Sequence, residues 1–233
     1  MKRIVAITAC AVALPGITLA ATRTYDIGAF EAVSVAAGVD ADITLGPTRS
    51  VVAETRSGSF EDLRISVEGG MLRIDRAPHS WFSNWFSSTR ISYKVHIVTP
   101  ALHSLTASSG ADVTVKGSLE GDFTVTASSG SDVHVSQVRG GNVKATSSSG
   151  SDLDIAGSCL SLEAAASSGS DLDADDLKCE SVTVQASSGS DVSVAATKRV
   201  AGRASSGSDV VVRGRPAQVQ VEKSSGADLS VGE

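Results

Sequence analysis

The sequence has little positive charge, few aromatic side chains and none of the short motifs that mark common enzymes. Its 233 residues include 20 Lys and Arg against 26 Asp and Glu, a formal net charge of −6. This acidic balance argues against nucleic acid or anionic lipid as a partner. No Gly-x-Ser-x-Gly, His-Glu-x-x-His or phosphate-binding-loop pattern is present, and the four His are scattered, so no nucleophile–base pair is visible. We therefore predict a protein that is not an enzyme and needs no cofactor.

Long apolar runs are also missing, apart from one at the N-terminus. Met1-Lys2-Arg3 is basic, the segment Ile4–Ala20 is almost entirely apolar, and small residues follow it. This segment is too short for a convincing membrane span and has the pattern of a secretory signal peptide. Residues 1–21 are therefore predicted to direct export, through a Gram-negative type of envelope, to the periplasm, the outer surface or the medium.

The abundant feature is a repeated phrase, Ser-Ser-Gly-Ser-Asp or Ser-Ser-Gly-Ala-Asp, which occurs seven times between residues 108 and 228. Its Asp residues are spaced by 20, 20, 19, 20, 18 and 19 residues, and a short alternating apolar–polar run lies on each side of each phrase. The recurring residues singled out are Ser109, Gly110, Asp112, Ser129, Gly130, Asp132, Gly150, Asp152, Gly169, Asp171, Gly189, Asp191, Gly207, Asp209, Gly226 and Asp228.

This repeat predicts an all-β fold, a right-handed parallel β-solenoid (β-helix) with coils of about 20 residues. Each coil has room for two short strands and two turns, and its apolar side chains can be buried only by stacking on the neighbouring coils. A further apolar residue is expected at the far corner of each coil. Those far-corner residues are Leu119, Val138, Leu160 and Leu177.

The corner phrase combines a turn with a column of like charges. Gly tolerates the positive φ of a tight corner, and Ser and Asp side chains can bond to backbone groups that a corner leaves unpaired. Stacked coils would repeat each Asp about every 4.8 Å, so the carboxylates repel one another unless backbone donors or a cation hold them.

Residues 22–106 are also β-rich but less regular. Leu63–Val67, Gly69-Gly70 and Met71–Ile74 read as a hairpin with a two-residue turn. The phrase around Gly38-Val39-Asp40 looks like a degenerate corner. We interpret residues 22–106 as the cap of the repeat solenoid at 107–233, the two forming one continuous domain.

Four of the aromatic side chains lie within six residues, at Trp81, Phe82, Trp85 and Phe86. Two interpretations remain open for them. They are either an insertion that folds back to plug the coil, or an exposed binding tip for a glycan or another protein.

The order of these elements resembles a known family. A Phe30–Val35 entry, a Gly-Gly hairpin and the segment Val95–Leu105 lead into the Ser-Ser-Gly-Ala-Asp repeats. Over roughly residues 28–225 the chain is similar to the autotransporter adhesin head GIN domain family, a domain of unknown function in bacterial envelope proteins. The resemblance implies a β-helix at the cell surface or in the periplasm, and it brings no catalytic residues.

The function predicted from these features is an adhesin-like envelope or surface module whose ligand is an unknown glycan or envelope protein. The alternatives are a purely architectural envelope solenoid and a β-helix enzyme that acts on polysaccharides. End-to-end self-association through the C-terminal coil, at Leu229–Glu233, is also expected.

Two local sites are predicted from the register of the coils. Cys159 and Cys179 have equal offsets from the next corner, so they lie side by side as a disulfide, or alternatively as two stacked thiols. The carboxylates of Asp152, Asp154, Asp171 and Asp173 would form a square able to share a weakly bound Ca²⁺. The alternative is that Asp152 and Asp171 cap their own corners and need no metal.

Overall fold

A computed structural model describes residues 20–56, 59–77 and 92–232, and every helix or strand assigned in them is a β-strand. The strands are β1 (Ala21–Tyr25), β2 (Ala32–Val35), β3 (Val39–Leu45), β4 (Ser50–Thr55), β5 (Leu63–Glu68), β6 (Met71–Arg76), β7 (Tyr93–Thr99), β8 (Ser104–Ser108), β9 (Asp112–Lys116), β10 (Leu119–Glu120), β11 (Phe123–Ser128), β12 (Asp132–Arg139), β13 (Asn142–Ser148), β14 (Asp152–Ser167), β15 (Asp171–Ser187), β16 (Asp191–Ser205), β17 (Asp209–Arg213), β18 (Gln218–Lys223) and β19 (Asp228–Val231).

The strands stack into two parallel sheets that meet at the repeated corner. Strands that follow a corner pair in the order β3, β9, β12, β14, β15, β16, β17 and β19, and we call this the Asp sheet. Strands that precede a corner pair in the order β2, β8, β11, β13, β14, β15, β16 and β18, and we call this the second sheet. β14, β15 and β16 run through the far corner and belong to both. The parallel β-solenoid with coils of about 20 residues is therefore confirmed.

Alternation places the apolar side chains between the two sheets. Val113, Val125, Val135 and Leu153 are each at most 3% exposed, while the residues between them face outward. Burying a side chain of this size contributes about 1.5 to 3 kcal/mol. No coil could gain this alone, because the apolar faces are covered only by the coils on either side.

The corners are closed by a serine rather than by the aspartate. The second Ser of each phrase has φ between 52° and 61°, and the following Gly has φ between 63° and 78°. In five corners the fourth residue is a fully buried Ser whose Oγ accepts a hydrogen bond of 2.9 to 3.1 Å from the N–H of the first Ser. Ser131 Oγ also donates to the carbonyl oxygen of Ala107 on the preceding coil. The expectation that Asp152 and Asp171 cap their own corners is wrong, because a buried hydroxyl already fills that place.

The far-corner column also differs from the expected one at one position. Val138 pairs with Gly157, and Gly157 pairs with Leu177, while Leu160 is 56% exposed. A Cβ on Gly157 would overlap the carbonyl oxygen of Val138, so the two coils approach there as only glycine allows. Leu160 is therefore not a core residue.

Cys159 and Cys179 occupy paired positions on β14 and β15 and are joined by a disulfide. Their Cα atoms are 4.5 Å apart, and both side chains are buried. The bond ties two neighbouring coils together inside the far corner.

The first coil is covered by strands of mixed direction, which we call the cap: β1, β4, β5, β6 and β7. β6 and β7 continue the two sheets in parallel, next to β2 and β3. β5 then lies antiparallel on β6, β4 lies antiparallel on β7, and β1 lies antiparallel on β4. The register therefore runs from the cap into the repeats without a break.

Candidate binding surface

The outer face of the Asp sheet carries a column of eight carboxylates, one on each coil. The aligned residues are Asp40, Asp112, Asp132, Asp152, Asp171, Asp191, Asp209 and Asp228. All but Asp40 are exposed, and among the described residues none of these eight carboxylates has a side-chain hydrogen bond to the protein. We call this column the Asp ladder.

Stacking equal charges changes how readily the carboxylates ionise. Burial raises the pKa of Asp132, and the neighbouring carboxylates of Asp112 and Asp152 raise it further. Burial likewise raises the pKa of Asp171, with added repulsion from Asp152 and Asp191. The ladder is thus a surface on which ionisation of Asp132 and Asp171 opposes folding.

A second outward row lies two residues further along each strand. His134 Nδ1 lies 2.7 Å from Asp154 Oδ2, and Asp173 Oδ1 accepts a hydrogen bond of 3.1 Å from the N–H of Asp175. These two rows line an open groove of about 470 Å³ between the coils of β9 and β15. Its lining is acidic apart from His134, Thr114 and three apolar residues, Val113, Val133 and Leu153.

The register brings the four carboxylates of the calcium hypothesis together, but their contacts differ from those expected. Asp152 pairs with Asp171, and Asp154 pairs with Asp173. Asp154 faces His134, however, and Asp173 accepts from a backbone N–H. In the part of the chain that the structure describes, no three His, Cys, Asp or Glu side chains are arranged to hold a metal ion. Calcium binding therefore stays a prediction.

The ladder ends against a basic residue in the cap, which sequence reasoning did not identify. Lys94 is the register partner of Asp40, and its Nζ lies 2.8 Å from Asp42 Oδ2. The hydrogen bond to Asp42 raises the pKa of Lys94. His96 lies between Asp42 and Glu54, at 3.4 and 3.5 Å. In the sequence, the degenerate corner before Asp40 predicts a strand at this position, but it does not predict which residues lie beside that strand.

The aromatic segment with Trp81, Phe82, Trp85 and Phe86 lies outside the described residues, as do residues 1–19 of the predicted signal peptide. Both interpretations of the segment therefore remain open. Within the described ranges, no helix has the length and apolarity needed to cross a membrane.

A comparison with protein families places this geometry in a known group. The family described as "Putative auto-transporter adhesin, head GIN domain" matches residues 29–216, which includes most of the cap and six of the seven corners. The chain belongs to the head GIN domain family. The family is described as an adhesin domain, which agrees with the resemblance noted in the sequence.

Solved structures share the head GIN fold at low sequence identity. A putative adhesin from Bacteroides fragilis is 14% identical with a TM-score of 0.76, and the match covers 92% of this chain and 97% of that one. A putative adhesin from Parabacteroides merdae is 12% identical, with a TM-score of 0.67 and coverage of 92% and 96%. A protein from Parabacteroides distasonis described as a putative lipid binding protein is 14% identical, with a TM-score of 0.65 and coverage of 90% and 96%. No curated protein gives a significant match.

Proposed function

We propose that this head GIN protein is an exported, non-catalytic binding module of the bacterial envelope, adhesin-like in its use of a fixed surface. The observation that supports this most is the register of the solenoid. Each outward position repeats from coil to coil, so both sheets present rows of side chains on strands that cannot move independently. Binding sites on rigid elements hold their geometry better than sites on loops.

The chemistry of the described surface favours binding over turnover. The Asp ladder is a row of like groups, and the His134–Asp154 pair is exposed on both sides, with 53% of each side chain accessible. An exposed pair of this kind has neither the burial nor the converging partners that tune an acid–base catalyst. The acidic ladder also disfavours anionic lipid as the ligand, although one fold relative is described as lipid binding.

The test has two parts, export and binding. Cells that express the full chain are fractionated, and we expect the protein outside the cytoplasm and shortened at its N-terminus. The purified exported protein is then labelled and mixed with isolated bacterial envelopes and with intact cells. Saturable binding that excess unlabelled protein removes is the expected result. A protein that stays cytoplasmic would contradict the proposed export. Non-saturable binding in every preparation would contradict the binding function and favour a purely architectural envelope solenoid.

A further inference from the structure

The second sheet carries a wider surface feature than the Asp sheet. A shallow trough of about 970 Å³ crosses the outer side of β13, β14, β15, β16 and β18. Five strands spaced by about 4.8 Å make it about 19 Å long, and it runs along the solenoid axis. Its size lies at the upper end of ligand-binding pockets, which occupy about 300 to 1,000 Å³.

The floor of the trough is formed by small residues, and its sides are polar. Ala165 is an outward residue between Thr146 and Gln185, and its short side chain leaves space between them. Gly202 contributes only backbone to the floor, because it pairs with the buried Val184, and a Cβ there would overlap the carbonyl oxygen of Val184. Besides four serines at or beside the corners, the polar lining includes Thr146, Thr183, Gln185, Arg203, Gln220 and Glu222.

Several of these polar groups have hydrogen-bonding capacity left for a ligand. Within the described residues, Thr183 and Gln185 make no side-chain hydrogen bond, and Gln220 uses only Oε1, which accepts from Arg199. Arg203 and Glu222 pair with each other at 3.1 Å, so the charges of the lining cancel. Next to the trough on the same sheet, Lys144 is already engaged with Glu163.

We infer that this trough binds a linear, uncharged polysaccharide that lies along the solenoid axis, an inference that rests on the proposed binding function. Sugar hydroxyls both donate and accept, which matches amide and threonine side chains that do the same. The strand spacing is close to the length of one pyranose ring in an extended chain, so aligned positions on successive coils meet successive rings. A protein partner would need aromatic or large apolar anchors at the centre, and the lining has none.

Chain length gives the most specific test. Cello-oligosaccharides and chito-oligosaccharides, from disaccharide to octasaccharide, are titrated into the purified exported protein by calorimetry. Affinity should rise with each ring up to about four rings, the number that about 19 Å accommodates, and then level off. Affinity that does not depend on length, or binding only to charged polymers such as polyuronates, would overturn the inference.

Variants locate the binding on the trough. Gln185→Ala combined with Gln220→Ala should weaken binding of the tetrasaccharide about tenfold, because two neutral hydrogen bonds are lost. Ala165→Arg should abolish it by filling the floor. The matched control, Thr124→Ala on β11 of the same sheet but outside the trough, should leave it unchanged. Melting temperatures are measured for all three variants, so that misfolding is recognised.

The failure of this inference differs from the failure of the proposed function. If no oligosaccharide binds while the protein still binds whole envelopes saturably, the trough is not a polysaccharide site and the binding function stands. A separate variant, His134→Ala, tests the groove on the Asp sheet. Loss of binding in it together with normal binding in the trough variants would place the ligand on the Asp sheet instead.

Discussion

The cap and the repeated coils are both built from β-strands, but the carboxylates of Asp62 in the cap and of the Asp ladder in the coils have opposite surroundings. In the cap, Asp62 Oδ2 accepts hydrogen bonds of 2.7 and 3.0 Å from Arg76, and Tyr93 donates its hydroxyl to the other oxygen. Arg76 also lies over the Tyr93 ring, 5.3 Å from its centroid. In the coils, by contrast, the carboxylates of the Asp ladder from Asp112 onward face only other carboxylates of the ladder. The cap is irregular and pairs these charges, whereas the ladder along the stack is regular and carries unrelieved repulsion.

The difference reflects how each part can be stabilised. At the corner a stacked coil repeats its neighbour, so each Asp of the ladder meets another Asp, and the register leaves no place there for a partner. The cap strands change direction, which lets unlike residues meet. They also hold two of the five aromatic residues in the described part of the chain, Tyr25 and Tyr93, and Phe60, just before β5, stacks on Tyr93 at 6.1 Å. Stability in the coils comes from repetition, and in the cap from individual contacts.

The comparison predicts that the same substitution has opposite effects in the two regions. Asp62→Ala leaves Arg76 and the Tyr93 hydroxyl without their shared acceptor, and we expect a loss of about 3 to 5 kcal/mol. Asp152→Ala removes one charge from the ladder and should be neutral or slightly stabilising. Urea unfolding of both variants checks this. Equal destabilisation by the two would show that the ladder carboxylates have partners as well.

The disulfide is the next largest effect and belongs to the coils alone. Cys159→Ala with Cys179→Ala opens a loop of 20 residues in the unfolded chain. We expect a loss of about 3 kcal/mol, with tertiary structure retained. A reductant should lower the stability of the native protein by a similar amount and leave the double variant unaffected. Full alkylation of both thiols in unreduced, denatured protein would contradict the bond.

The pH dependence should separate the two regions. The pKa of Asp132 and of Asp171 is raised by burial and repulsion, so their ionisation costs stability above the folded pKa. That cost disappears as the pH falls towards the ordinary value of 3.8. Burial raises the pKa of Asp62, but hydrogen bonds from Tyr93 and Arg76 outweigh this and lower it. Its contribution is therefore present above 3.8 and is lost as the pH falls through the folded pKa.

Asp132→Asn with Asp171→Asn tests the ladder half of this account. Because both side chains are exposed to solvent, screening limits the gain at neutral pH to about 0.5 to 1 kcal/mol for the pair. The gain should vanish below the ordinary pKa of aspartate. Urea unfolding midpoints measured from neutral to acidic pH give the gain in stability and its dependence on pH. A gain that is independent of pH would show that the new amide groups themselves stabilise the fold, and that relieved repulsion is not the cause.

Calcium should have the smallest effect. If the dissociation constant for Ca²⁺ is millimolar and the free Ca²⁺ concentration equals it, binding would stabilise the fold by about 0.4 kcal/mol. Asp154→Asn with Asp173→Asn should abolish the accompanying rise in melting temperature. If the double variant is more stable than the native protein and calcium changes neither, these carboxylates only repel.

The coils were predictable from sequence, but the cap and several contacts were not. A fixed repeat of alternating residues leaves one way to bury every apolar face, so the repeat predicts the fold. The pairing of Cys159 with Cys179 follows from their equal offsets from the next corner. The register shift at Gly157, which turns Leu160 outward, depends on how closely two backbones approach, and spacing does not contain that distance. The capping role of Ser131 was missed because Ser and Asp are both good turn residues. The partners of Asp62 and Lys94 follow from antiparallel strands whose order no repeat specifies.

The direction of the hydrogen bonds between coils has a mechanical consequence. These bonds point along the solenoid axis, so a pull on the two ends loads them one coil at a time instead of in parallel shear. Each coil that detaches would release about 20 residues, or roughly 65 Å of extended chain, at a modest force. The Cys159–Cys179 bond interrupts this sequence, because its two coils stay tied after their backbone bonds fail. Under tension the molecule would therefore lengthen in steps of one coil and absorb work, until the disulfide prevents its two coils from separating fully.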